Sequence, residues 1–195
     1  MTDPLLPTGE GHTELTAEDR DGLIPTYIST RGELYEAEQR NIAEGLLRKA
    51  PSLTQILDDK YLRGLHKSMF GEVWKWAGRY RQRETNIGVN PRLIATEVRK
   101  LTQDTAAWIE YGTYQDFEVA VRFHHRLVKI HPFPNGNGRW GRVAADFLSI
   151  AQGGESLTWG KHLELDTAEL RNRYLQALRE ADDGDTGALA AFAKA

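Results

Sequence analysis

Apolar residues recur along this chain mainly at helical spacing. Between Tyr114 and Ile130, residues Phe117, Ala120, Val121, His124, Leu127 and Val128 fall on one face at i, i+3, i+4 and i+7. That period predicts the most regular helix of the protein, stopped by Pro132 and Pro134. A proline-free run rich in Glu, Ala, Leu and Arg predicts a helix from Arg31 to Lys49, ended by Pro51. Over Thr54 to Phe70, Ile56, Leu57, Tyr61, Leu65 and Met69 are spaced for one buried face. Helical spacing returns over Leu93–Tyr111, Arg139–Ala151 and Thr167–Ala181, and Asp182-Asp-Gly-Asp-Thr186 should cap a short terminal helix through Phe192. Two stretches break the pattern. Met1–Arg20, with two prolines, two glycines and several acids, reads as an extended arm. Trp76–Pro91, where Gly78 and Gly88 bound a polar and β-branched segment, reads as a hairpin or irregular flap. The expected architecture is therefore all-α with a small β-hairpin flap.

Composition narrows the function classes more than it names one. The 195 residues suit one domain rather than two, read as an arm over 1–20 and a single domain over 21–195. A formal net charge of −3 gives no global basic field, so direct nucleic-acid or acidic-membrane binding is not expected. The lack of cysteine excludes disulfides and thiolate zinc sites and is compatible with a reducing cytoplasm. With no apolar run near 18 residues and no signal-peptide core after Met1, neither a membrane span nor export is expected.

The chemistry concentrates in His131-Pro-Phe-Pro-Asn-Gly-Asn-Gly-Arg-Trp-Gly-Arg142, between two helices. Gly136-Asn137-Gly138 before a helix can aim consecutive N–H groups inward as an anion nest, reinforced by the helix dipole. Arg139 and Arg142, three apart on the first turn, share a face and can grip further phosphate oxygens. His131, across the loop, is placed to take a proton from a nucleophile attacking that phosphate. Singly, each feature is an ordinary turn, helix end or solvated face. Their conjunction carries the reading.

The segment resembles the signature of the Fic/Doc family, His-x-Phe-x-(Asp/Glu)-Gly-Asn-Gly-Arg-x-x-Arg, and the upstream flap and Tyr174-Leu-Gln-Ala-Leu178 resemble the family's layout. The run Gly22 to Leu34, with Glu38 and Asn41-Ile42, resembles more narrowly the bacterial subgroup called mobile mystery protein B. The resemblance implies a Fic-type helical bundle and a protein adenylyltransferase. It would move AMP from ATP to a Tyr, Ser or Thr hydroxyl of a target protein, as a toxin-like module with a small regulatory partner. It implies His131 as general base and Gly136, Asn137 and Gly138 as the anion hole. Arg139 would serve the β-phosphate region and Arg142 the γ-phosphate, with Phe133 as a core anchor. Ile87 and Gly88 would align the target by strand addition, unless they form an ordinary exposed turn.

One motif position departs. Asn135 stands where the family has an acidic magnesium ligand, so Mg²⁺ brought with ATP should be held weakly. That leaves open transfer of another nucleotide or of phosphate, removal of AMP, or a catalytically weak nucleotide-binding regulator. Many family members carry an inhibitory helix, (Ser/Thr)-x-x-x-Glu-(Gly/Asn), here matched in part by Arg40-Asn-Ile-Ala-Glu-Gly45 within residues 21–50. Glu44 would then restrain Arg142, or else it is a surface glutamate. His124 and His125 are adjacent on one helix and so do not share a metal site; His124 reads as a buried structural residue.

Overall fold

The computed structural model describes residues 16–47 and 49–195. Helix α1 (Ala17–Asp21) is opened by Thr16, whose side chain accepts from Asp19 N while the Asp19 carboxylate accepts from Thr16 N (2.9 Å). The expected arm is thus helical from Ala17, and residues 1–15 lie outside the described residues. Thr30 and Glu33 repeat the capping box at α2 (Arg31–Gly45). This helix stops short of the expected Lys49, where Gly45 meets a neighbouring helix so closely that a Cβ would lie 2.2 Å from the Ser68 carbonyl oxygen. The helix expected over 54–70 is two, α3 (Leu53–Ile56) and α4 (Asp59–Phe70). Asp58 divides them, turning the chain and capping α4 through Tyr61 N (2.9 Å).

A 3₁₀ turn at Pro91–Leu93 leads into α5 (Ile94–Glu110), followed by α6 (Asp116–Ile130), α7 (Asn137–Ala151), α8 (Thr167–Asp182) and α9 (Gly187–Lys194). Helix α6 packs between α5 and α7, α2 lies on α4, and α8 pairs with α9. Leu65, Met69, Phe70, Phe123, Leu127, Phe133 and Trp140 fill the main core, each no more than 1% exposed. Burial of such side chains contributes roughly 1.5–3 kcal/mol apiece, so the α6–α7 hairpin is a rigid mount for the loop between them. A second cluster, with Val121, Tyr174, Leu189 and Phe192, fixes α8 and α9 beside it. Among the described residues no helix is long and apolar enough to cross a membrane.

The all-α expectation matches this architecture, but the β-hairpin flap is corrected. No strand forms among the described residues, apart from an isolated bridge between Leu23 and Trp74. Residues 79–90 are an irregular loop, and Arg81 supplies the physical reason. Buried at 2% exposure, its guanidinium donates to the carbonyls of Arg83 (2.8 Å) and Val89, oxygens that cross-strand N–H groups would otherwise take. A side chain has replaced the ladder.

Candidate active site

His131 closes α6 in the left-handed region (φ 54°), which swings its ring off the helix axis toward the following loop. It is 5% exposed. Its Nδ1 lies 3.3 Å from the Val128 carbonyl, so the tautomer with Nδ1–H donating there places the basic lone pair on Nε2. Burial first, and the Arg81 charge second, lower the imidazole pKa from its usual 6.5 to about 4, against the opposing Val128 bond. At neutral pH the ring is therefore uncharged and able to accept a proton.

Arg81, missed in the sequence, buckles the flap to this histidine. Its Nε donates to the His131 carbonyl (2.7 Å), and its own N–H donates to Pro132 O (2.9 Å). Val89 N donates to Ile130 O (3.2 Å). Gly88, at φ 107°, lies so close that a Cβ would meet His131 Cβ at 2.7 Å. The two expected flap residues therefore sit at the lip of the histidine's cleft, with Ile87 40% exposed. The signal for Arg81 in the sequence was weak, since an arginine in a polar segment reads as solvated.

The phosphate-type cradle forms at the N-terminus of α7. Gly136 adopts φ 80°, and a Cβ there would run into the Phe70 ring at 2.7 Å. The first helical bond is Trp140 N to Gly136 O (2.9 Å), so the N–H groups of Asn137, Gly138 and Arg139 precede the helical ladder. Asn137 does more than contribute an N–H group. Its side chain is a staple, accepting from Phe133 N (2.9 Å) and donating to Phe133 O (2.8 Å), so only its backbone can serve an anion. Phe133 stacks on His66 (3.7 Å between ring centroids) and meets Trp140 edge-on, as a core anchor would. His66 is buried and neutral, its pKa lowered to about 3 chiefly by desolvation. Gly78 N donates to its Nδ1, which leaves Nε2–H to hold the Asn135 carbonyl (3.0 Å).

His131, the cradle and both motif arginines line one cleft of about 1340 Å³. Arg142 lies over the Tyr174 ring, 5.1 Å from its centroid. Arg139 lies over Phe70 and is tied to Glu38 of α2, Nη1 to Oε2 at 2.7 Å. Glu38 also accepts from Trp74 Nε1 (2.7 Å). Glu44, the expected brake, is exposed and does not line the cleft, because six residues along a helix turn it well away from Glu38. The carboxylate that meets a motif arginine is Glu38, and the arginine is Arg139 rather than Arg142.

Asn135 lines the cleft, but its Oδ1 already accepts from Gly136 N. The loop contains no carboxylate, and among the described residues no cluster of acids and histidines could hold a metal. His124 is fully buried and shares a hydrogen bond with the Tyr174 hydroxyl (3.0 Å), while His125 bonds Asp182 (3.0 Å).

The histidine sets a pH expectation. With a pKa near 4 its basic form persists from neutral pH down to about pH 5 and is lost below. If proton removal by His131 drives turnover, kcat/KM should stay flat to about pH 5 and fall tenfold per unit below about pH 4. Asp146 in the cleft wall is raised to about 6 by burial, so the profile should be taken in wild type and in Asp146→Asn. An acid limb centred near 6.5 in both proteins would show that a histidine in this setting is not the base.

Residues 56–149 match the Fic/DOC family model. Over 144 residues the chain is 33% identical to a probable protein adenylyltransferase of Sinorhizobium fredii, covering 69% of this chain and 70% of that protein. It is 26% identical over 184 residues to the protein adenylyltransferase Fic of Drosophila yakuba. That alignment covers 90% of this chain and 36% of the fly protein, so the chain spans about a third of that relative's length. In fold it is similar to the N-terminal Fic domain of a VirB-translocated Bep effector from Bartonella quintana, solved with ADP bound. The TM-score is 0.66 at 22% identity, covering 87% of this chain and 86% of that one.

Proposed function

The chain belongs to the Fic/DOC family, and on that basis we propose that it is a protein adenylyltransferase. It moves AMP from ATP to a Tyr, Ser or Thr hydroxyl of another protein. The observation that carries this reading is the placement of His131. A buried, neutral imidazole shares one cleft with an anion-ready helix N-terminus and two arginines. That pairing suits proton removal beside a nucleotide phosphate.

Nε2 of His131 takes the proton of the target hydroxyl as its oxygen attacks the α-phosphorus. The P–O bond to the β-phosphate breaks, and pyrophosphate leaves. Through this step the N–H groups at the start of α7 and the Arg142 guanidinium hold the negative charge in place. Most of the rate enhancement comes from such positioning and charge stabilisation. Target polypeptide docks along the flap, where Ile87 and the open backbone at Gly88 face the cleft mouth. Asn135 is the loop residue that would meet magnesium brought with ATP, as a single neutral ligand, and the ion would supply charge stabilisation to the phosphates. The finer assignment rests on the Gly22–Leu34 run: a cytoplasmic toxin-like module of the mobile mystery protein B type, with a small regulatory partner.

The protein, incubated with cell lysate, magnesium and ATP labelled at either the α- or the γ-phosphate, should transfer label only from the α-position. Label from the γ-position would replace adenylylation with phosphoryl transfer. Nucleotide binding with no labelling from either position would make the protein a nucleotide-binding regulator.

A further inference from the structure

Arg81 ties the inner edge of the 79–90 flap to the His131 carbonyl, and a second support holds the outer edge. Arg83 is held twice. Its carbonyl accepts from Arg81 Nη1 (2.8 Å), and its guanidinium meets the Asp19 carboxylate of α1, Nη2 to Oδ2, across 64 residues of sequence. The two side chains are 28% and 10% exposed, so this pair is shielded where an ordinary surface ion pair is not. A chain of contacts thus runs from the catalytic histidine through Arg81 and Arg83 to Asp19.

Asp19 is itself fixed. The oxygen that meets Arg83 also accepts from Thr16 N (2.9 Å) and Thr16 Oγ1 (3.0 Å), so the α1 capping box aims the carboxylate. The Asp19 carbonyl accepts from Trp76 Nε1 (3.0 Å), and Trp76 stacks on buried Trp74 with 4.9 Å between ring centroids. Just beyond α1, Lys75 N donates to Gly22 O (2.8 Å) and Ile24 N to Val73 O (2.9 Å). Gly22 packs so tightly that a Cβ would lie 2.5 Å from Trp76 Cδ1. A five-residue helix is not stable alone in water, so these contacts root α1 in the main core. They would survive without Arg83. The ion pair therefore constrains the flap more than it constrains the helix.

We infer that Asp19 is a positioning residue for the target polypeptide. Acting through Arg83, it holds the outer limb of the flap so that Ile87 and Gly88 stay at the lip of the His131 cleft. The inference rests on the reading above, in which the target docks along this flap. The nucleotide cradle lies at the start of α7, so Asp19 serves target affinity and leaves ATP affinity alone.

The test measures transfer from α-labelled ATP to the proteins of a cell lysate, at rising lysate concentration and separately at rising ATP. Hydrogen exchange of the flap amides is followed in the same full-length proteins: wild type, Asp19→Asn, Arg83→Gln and the double variant. Asparagine keeps an acceptor for the α1 cap and removes the charge, and Arg83→Gln leaves α1 intact. Loss of the shielded pair should raise the half-saturating lysate concentration about tenfold and speed exchange of the Arg81 and Val89 N–H groups similarly, with kcat and the KM for ATP changed less than about twofold. The double variant should match either single one, as two partners of one interaction do, and Arg83→Lys should recover part of the loss. Equal changes in both half-saturation values, or single effects that add in the double variant, overturn the inference. Exchange needs no turnover, so the two readings fail separately. Faster flap exchange in the variants without any wild-type transfer would keep the Asp19 brace and remove the adenylylation. Wild-type transfer with lysate half-saturation unchanged in both single variants would do the reverse.

Discussion

Replacing His131 with alanine should reduce transfer from α-labelled ATP by at least two orders of magnitude, with nucleotide affinity changed by less than about threefold. General-base assistance by a placed side chain contributes about 10²–10⁴-fold in rate, and this imidazole is the neutral proton acceptor placed beside the cradle. The phosphate grip lies on the other side of the loop, in the first turn of α7 and its arginines, so binding should survive. Alanine carries a confounding cost. His131 sits at φ 54°, where a Cβ-bearing residue without a local polar partner loses roughly 1–2 kcal/mol. Asparagine tolerates that backbone better, so His131→Asn separates chemistry from folding. Both variants should lose transfer, and the asparagine variant should keep more thermal stability. Transfer persisting in a folded His131→Asn protein would remove His131 as the base.

The sequence exposed the parts of this site whose identity follows from local rules. The apolar period of α6, the prolines after it and the glycines before α7 place a histidine opposite a helix N-terminus without any tertiary information. Side-chain destinations were less accessible. Asn137 belongs to the motif, yet its carboxamide closes on Phe133, a use that spacing alone does not distinguish from ligand contact. Arg81 and His66 act across 50 and 69 residues of sequence, through the His131 and Asn135 carbonyls, and nothing local marks either as buried. The hairpin form of the flap failed for a related reason. Its β-branched and polar residues fit a hairpin, but a buried guanidinium took the carbonyls a ladder needs. The position of a brake on α2 depends on which face of that helix meets α7. Glu44 was singled out by the Glu-Gly end of the Arg40–Gly45 pattern, and neither that pattern nor periodicity says which face of the helix touches α7.

Glu38 carries the second large expectation. Its carboxylate holds the Arg139 guanidinium at 2.7 Å, with side-chain exposures of 9% for Glu38 and 26% for Arg139, and Trp74 Nε1 fixes it from behind. A nucleotide phosphate that needs Arg139 must first displace this partner. A hydrogen bond to a charged group contributes about 1.5–3 kcal/mol when shielded, and the partial exposure of Arg139 places this pair toward the lower figure. Freed of the carboxylate, the site should therefore transfer AMP about tenfold faster at subsaturating ATP, mainly through a lower KM. The choice of substitution matters. Glycine would leave the Trp74 N–H without its acceptor, at a cost of about 1–3 kcal/mol of stability. Glutamine retains an acceptor oxygen and removes only the charge, so Glu38→Gln should show the rise in transfer with little change in Tm, and Glu38→Gly the rise with a lower Tm. If Glu38 instead holds Arg139 in its working position, both variants should transfer more slowly and bind ATP more weakly. The sign of the change in Glu38→Gln thus decides between restraint and positioning, because that substitution keeps the fold and alters only the competitor for the guanidinium.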